Sequence, residues 1–209
     1  MTKKTLILAL CLSSCSGLPS LDYLSAAQNS VAYISGKNNY AITRELYEQQ
    51  EYSFIKVRVG RFEPLIMVLA YVNNGVYEWV GADNSKIYTY KGKIIELNGF
   101  ENDIKIQFPH SKIKNFLTNS NTSYAVDFYS PVLFSLDVNT QINLDQQIVL
   151  IERLEQKDSF LRVQEVMDAS LINWTKENQY FYDSDKRLFK TVQYVHPRLK
   201  AFEIEFYIK

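Results

Sequence analysis

Cysteine is nearly missing from this sequence. Of 209 residues only two are cysteine, Cys11 and Cys15, and both lie near the N-terminus. Everything after Cys15 is therefore without a disulfide, a thiolate metal site or a cysteine nucleophile. Histidine is equally scarce: His110 and His196 each sit beside a proline, with no HxH or HExxH spacing. That pattern assembles no transition-metal site, so no metal is expected. A Ser-His-Asp set is not excluded by count, but no GxSxG elbow is present. Seven glycines and five prolines leave no glycine-rich phosphate loop or dinucleotide fingerprint, and no cofactor is expected. Charge of one sign is also lacking: 23 Lys and Arg stand against 23 Asp and Glu. No basic field points to nucleic acid, and no acidic tail points to a basic partner.

What is present begins at the N-terminus. Lys3 and Lys4 precede an apolar run, Leu6 to Leu12, and then small residues. This is the layout of a secretory signal peptide. The run is about seven residues, whereas a membrane-spanning helix needs roughly 20. Leu12-Ser13-Ser14-Cys15 resembles the lipobox of bacterial lipoproteins: an aliphatic residue, two small ones, then cysteine. The resemblance implies cleavage between Ser14 and Cys15, with acyl chains on the sulfur and on the new amino group. Cys11 follows Leu10 and reads as part of the signal. The alternative is a secreted protein whose cysteine falls there by chance. Ser16 stands where retention at the inner membrane would favour Asp, so a lipid anchor in the outer membrane is implied by analogy. The expected organisation is a signal peptide over 1–14, a lipidated tether with a short helix over 15–30, and one domain over 31–209. About 195 residues remain after processing, enough for a core without staples.

Tyr (15) and Phe (12) are abundant, which favours strands. Leu21, Leu24 and Ala27 or Gln28 share a helical face, and 41–50 reads as a second short helix with Thr43 and Glu45 near its start. From Tyr52 the period becomes two. Ile55, Val57 and Val59 alternate with Lys56 and Arg58. The run 64–72 is apolar on both faces and reads as a central strand. Asn73-Asn74-Gly75 and Lys91-Gly92 are hairpin signals. Further strands are expected over 76–80, 86–90, 93–97, 104–108, 123–129, 132–138, 147–154, 160–167, 172–183, 188–194 and 201–208. A polar loop is expected at 119–121. Evenly spaced short strands predict an all-β fold: a single antiparallel barrel-like sheet, closed or partly open, with the short helices plugging or covering an opening.

The order of features over 65–104 is distinctive: a strand ending in Leu69-Ala70, a turn, a strand carrying Trp79, an Asp turn, a strand, Lys91-Gly92, and a strand leading to Gly99-Phe100 and Asp103. Asn173-Trp174, Tyr180-Phe181, Asp183, Gln193 and His196-Pro197 continue the pattern. It resembles the YjbF/GfcB family of outer-membrane lipoproteins, found with group 4 capsule and exopolysaccharide secretion genes. The likeness runs from about Tyr52 to the end. Two departures are Asp185-Lys186-Arg187 where a Gly is usual, and Tyr180-Phe181 where Trp is frequent. The resemblance implies a periplasm-facing, barrel-like accessory factor in capsule or exopolysaccharide assembly or export, with no known enzymatic activity. Its implied partners are the outer membrane, through the anchor, and polysaccharide or capsule-export proteins. A glycan-modifying enzyme and an acyl-chain carrier are the alternatives.

Glycan processing uses carboxylate pairs. Glu78, Asp83, Glu101, Asp103, Asp127, Glu152, Asp183 and Asp185 are the candidates, and most read as turn caps or solvated strand positions. No catalytic residue is assigned. Trp79, Trp174, Tyr180, Tyr182 and Gln193 are candidates for a glycan or partner surface, because aromatic faces stack on sugar rings. The competing reading is barrel core. On β alternation Tyr180 and Tyr182 share one face, here expected outward, and Phe181 takes the other, expected inward.

Overall fold

A computed structural model describes residues 41–107, 117, 118 and 120–209. Helix α1 (Arg44–Gln49) precedes twelve strands. The first six are β1 (Phe54–Val59), β2 (Leu65–Asn73), β3 (Val76–Gly81), β4 (Lys86–Tyr90), β5 (Lys93–Asn98) and β6 (Ile104–Gln107). The others are β7 (Ser120–Tyr129), β8 (Val132–Arg153), β9 (Gln156–Ala169), β10 (Trp174–Tyr182), β11 (Leu188–Gln193) and β12 (Phe202–Tyr207). Every strand is antiparallel to its sequence neighbours, and β1 pairs with β12 to close the barrel.

The hairpin signals act as expected. Asn74 and Gly75 both take positive φ (50° and 80°), as do Lys91 and Gly92 (50° and 82°). That is the requirement of the tight primed turns that match strand twist. In α1 the Thr43 side chain accepts a hydrogen bond from the Leu46 N–H at 3.2 Å, and Glu45 lies in the first turn. The expected helix around Leu21 to Gln28, Cys15 and His110 lie outside the described residues.

Alternation sorts the walls. Ile55, Val57, Trp79, Leu97, Val126, Leu136, Val163, Ile204 and Phe206 point inward and form one buried cluster. The outer wall carries cross-strand ion pairs: Lys56–Glu205 at 2.7 Å, Arg58–Glu203 at 2.7 Å, Lys86–Glu78 at 2.8 Å and Lys105–Glu96 at 2.9 Å. A membrane-spanning barrel has the reverse pattern, with an apolar outer band. Opposite walls also touch. The Ile94 N–H in β5 donates to Gln193 Oε1 in β11 at 2.9 Å, and Gln193 Nε2 donates to the Gly92 carbonyl at 2.8 Å. Since β5 and β11 are diametric in the strand order, the barrel is flattened there.

Four expectations are corrected. The segments 132–138 and 147–154 are one strand, β8, with a register shift between Asn143 and Gln147. Beyond these pairings β8 and β9 leave the wall as a two-stranded arm, since β8 pairs with β7 only as far as Ile142 and β9 pairs with β10 only as far as Leu161. Asn121 belongs to β7 rather than a loop. Within the run 64–72 only Ile66, Met67 and Val68 are buried; Leu65 is exposed, and Tyr71 and Val72 pass the end of β1 and are exposed too. Finally, α1 plugs no opening. Its Ile42 flank and Leu46 pack on the outside of the wall with Phe54, Phe181, Phe189 and Tyr207, and Phe160 of the arm joins them. Phe189 stacks on Phe160 at 5.0 Å, and Phe54 stacks on Tyr207 at 4.8 Å.

Candidate functional site

One end of the barrel gathers the β2–β3, β4–β5 and β10–β11 turns, the arm, α1 and the end of β12. A cleft of about 560 Å³ opens there. This lies within the roughly 300–1,000 Å³ range of small-molecule clefts. Trp79, Tyr77, Tyr182 and Phe206 line its floor, and Tyr47 of α1 stands at the side. Tyr77 and Trp79 are two apart on β3 and so share a face. Their rings stack at 5.9 Å and 16°, while Phe206 meets Trp79 edge-on at 6.0 Å. Trp79 is buried and donates its Nε1–H to Thr89 Oγ1 at 2.9 Å. Tyr77 is half-buried above it.

The rim is cationic. Lys91, Arg153, Lys186 and Arg187 line the cleft, and Asp183 is the only carboxylate among the described lining residues. Asp183 is committed to its turn. Its Oδ1 accepts from the Asp185 and Arg187 N–H groups at 3.0 and 2.9 Å, and its Oδ2 accepts from Arg187 Nε at 3.0 Å. These bonds hold Lys186 at φ 61°, the left-handed position that a glycine would take more easily. The Lys186 ammonium has no hydrogen-bond or ion-pair partner among the described residues. Arg153 lies over the Phe189 ring at 4.8 Å and is 3.9 Å from Asp183. Its Nε is buried and has no acceptor among the described residues.

Beneath the cleft the barrel holds a buried polar network. Lys93 follows the Lys91-Gly92 turn and points inward, where its Nζ meets Glu165 Oε1 at 2.6 Å. Tyr180 Oη–H and Asn178 Nδ2–H donate to Glu165 Oε2 at 2.8 and 3.0 Å. Asn178 Oδ1 accepts from the Tyr194 N–H at 2.8 Å. Lys93 also lies over the Tyr124 ring at 5.0 Å. Burial works against the Lys93 ammonium, but the Glu165 charge and hydrogen bond more than offset it, and its pKa moves up. Burial pushes the Tyr124 hydroxyl up to about 12, with Lys93 pulling the other way. Burial and the Glu165 charge raise Tyr180 and Tyr182 as well. The remaining cavity around this pair is about 20 Å³. That is room for about one water and no more.

Residues 27–207 match the family described as group 4 capsule polysaccharide lipoprotein GfcB, YjbF. The chain belongs to this family. Among solved structures it is similar to the hypothetical lipoprotein YmcC from Escherichia coli. The TM-score is 0.66 and the identity 14%, covering 74% of this chain and 86% of that one, so the likeness is one of fold. A chain from Parabacteroides distasonis, described as a candidate lipoprotein, overlaps at TM-score 0.34 and 13% identity, covering 77% of this chain and 95% of that one. At that score it carries no weight. No curated protein matches the chain.

Within this YjbF/GfcB barrel the expected glycan surface is not a surface. Trp79, Trp174, Tyr180, Tyr182 and Gln193 are all less than a tenth exposed. Trp174 meets Phe128 edge-on at 6.4 Å in the core, and Gln193 ties β11 to β5. Only Trp79 and Tyr182 reach the cleft floor. The expected sidedness of β10 is inverted: Tyr180 and Tyr182 face the lumen, and Phe181 faces outward beneath α1 and the arm. On the inner side the Tyr180 hydroxyl donates to Glu165 Oε2, a partner that the outer face does not offer it. The carboxylates read as caps hold that role at Asp83, Asp103 and Asp183. Asp127 is buried, accepting from the Ser135 N–H at 2.9 Å and from Gln107. Glu165, Lys93 and Tyr77 are the residues that sequence reasoning missed. The in-phase run Val163, Glu165, Met167 could have shown that Glu165 faces inward.

Proposed function

We propose that the protein is a lipid-anchored, non-enzymatic accessory factor in capsule or exopolysaccharide assembly or export. The observation that carries this reading is the family match over 27–207. The anchor is Cys15, exposed by cleavage after Ser14 and acylated, and it holds the barrel at the periplasmic side of the outer membrane. The charged outer wall supports a barrel that stands in water at the end of a tether. Its partners are then the polysaccharide itself or capsule-export proteins.

The rival readings have less support. An acyl-chain carrier needs room within the barrel, and the space around Lys93 and Glu165 is about 20 Å³. A glycan-cleaving enzyme needs two opposed carboxylates. Asp183 alone lines the described cleft, and hydrogen bonds to its own turn occupy it.

Deletion of the gene, with complementation by wild type and Cys15→Ala, tests the reading. The expected result is lost surface polymer with unaltered repeat units, restored by wild type and not by the variant. Cys15→Ala should leave the outer-membrane fraction, and globomycin should cause precursor to accumulate. Altered repeat units with normal export would replace this reading with an enzyme.

A further inference from the structure

The mouth of the barrel combines two features that serve different parts of one ligand. Tyr77 is half-buried, and Trp79 supports it from behind at 5.9 Å. A phenol ring held rigid in this way presents an apolar face with a polar tip. The C–H face of a pyranose packs on the first and its hydroxyls bond the second. Around it stand Arg153, Lys186 and Arg187, with Lys91 on the opposite turn. Lys209 adds a further cation beside the cleft, its Nζ 3.8 Å from the Tyr47 ring centroid. The chain as a whole is neutral, so this concentration of cations is local. Asp183 offsets one of them, and Asp185 meets Arg187 at 2.7 Å. The exposed Lys186 ammonium still has hydrogen-bonding capacity that no described residue uses. A planar guanidinium beside an ammonium suits a carboxylate or phosphate.

We infer that this cleft binds an anionic sugar segment, with one pyranose ring on Tyr77 and its carboxylate or phosphate held by Arg153, Lys186 and Arg187. This rests on the polysaccharide reading above and adds the class of sugar and the place where it sits. A cleft of about 560 Å³ has room for part of a longer chain.

The test is titration of the purified barrel with four probes: a hyaluronan tetrasaccharide, neutral maltotetraose, glucose 1-phosphate and inorganic phosphate. Trp79 lies directly behind the platform, so its fluorescence reports occupancy. The expected result is saturable, salt-sensitive binding of hyaluronan or glucose 1-phosphate, at least about tenfold tighter than maltotetraose or inorganic phosphate. Which of the two binds decides between carboxylate and phosphate as the anionic group. Lys186→Gln and Tyr77→Ala should each weaken binding about tenfold. Lys186 is exposed on a turn, so an unchanged melting temperature in that variant separates lost binding from lost fold. Equal binding of neutral and anionic sugars would overturn the inference. So would inorganic phosphate binding as well as its sugar ester, or no binding at all. A doubly substituted protein that binds nothing yet restores surface polymer would sink the cleft assignment alone. A deletion strain with normal polymer would sink the assembly reading, whatever the cleft binds.

Discussion

Replacing Lys93 by methionine should expose what the buried ion pair costs and what it holds. Lys93 and Glu165 have side chains only 4% and 2% exposed and lie 2.6 Å apart. Methionine fills the lysine stem and removes the charge. Glu165 would then be a buried carboxylate with two donors, Tyr180 and Asn178, and no counter-charge. Breaking one side of such a pair typically costs about 3–5 kcal/mol. That is roughly 6–20 °C of melting temperature for a chain of this size. Adding Glu165→Gln should restore most of the loss, because it removes the unpaired charge while the amide oxygen still accepts from Tyr180 and Asn178. Urea unfolding of wild type, single and double variants measures this, provided the slope against denaturant is unchanged. A single variant within about 1 kcal/mol of wild type, or a double variant no more stable than the single one, refutes the reasoning.

Two further outcomes follow from the packing. Phe189→Ala removes a ring shared by Phe160, Tyr207 and the Arg153 guanidinium. It should cost about 3–5 kcal/mol and free α1 and the arm to faster amide exchange, so slow exchange retained in the arm would contradict the outer cluster. Burial, with the Arg198 charge beside it, holds the His196 imidazole below its ordinary value of 6.5. The stability this contributes is fully present above about 6.5 and is lost as pH falls through the lower folded value. Thermal melts from about pH 7.5 down to about pH 5 should decline more steeply for wild type than for His196→Gln, and parallel curves would remove His196 from the account.

Much of the fold was written locally. The alternation of Ile55, Val57 and Val59 against Lys56 and Arg58, and the Asn74-Gly75 and Lys91-Gly92 turns, each specify their own geometry. The segment 139–146 read as a break because Asn and Gln are poor strand formers, yet Thr140 and Ile142 kept the inward phase. The site was harder to read. Alternation says that Tyr180 and Tyr182 share a face, and only a distant partner says which face is inside. Lys93 and Glu165 are 72 positions apart, and no local pattern joins them. Both faces of β10 are buried at the mouth, so hydrophobicity could not choose between Phe181 and its neighbours. The cleft itself is made by turns that meet only once the barrel has closed.

That closure has a consequence in time. The seam joins the first strand to the last, Phe54 beside Tyr207 and Val59 beside Phe202. A chain emerging N-terminus first must therefore hold β1 paired with β2 on one side and bare on the other until β12 arrives. Pairing across such a sequence distance is intrinsically slow. An unpaired strand edge meanwhile recruits whatever strand is nearest. Lys56 and Arg58 keep that waiting edge charged, and Glu205 and Glu203 bring the opposite charges on the strand that completes the ring.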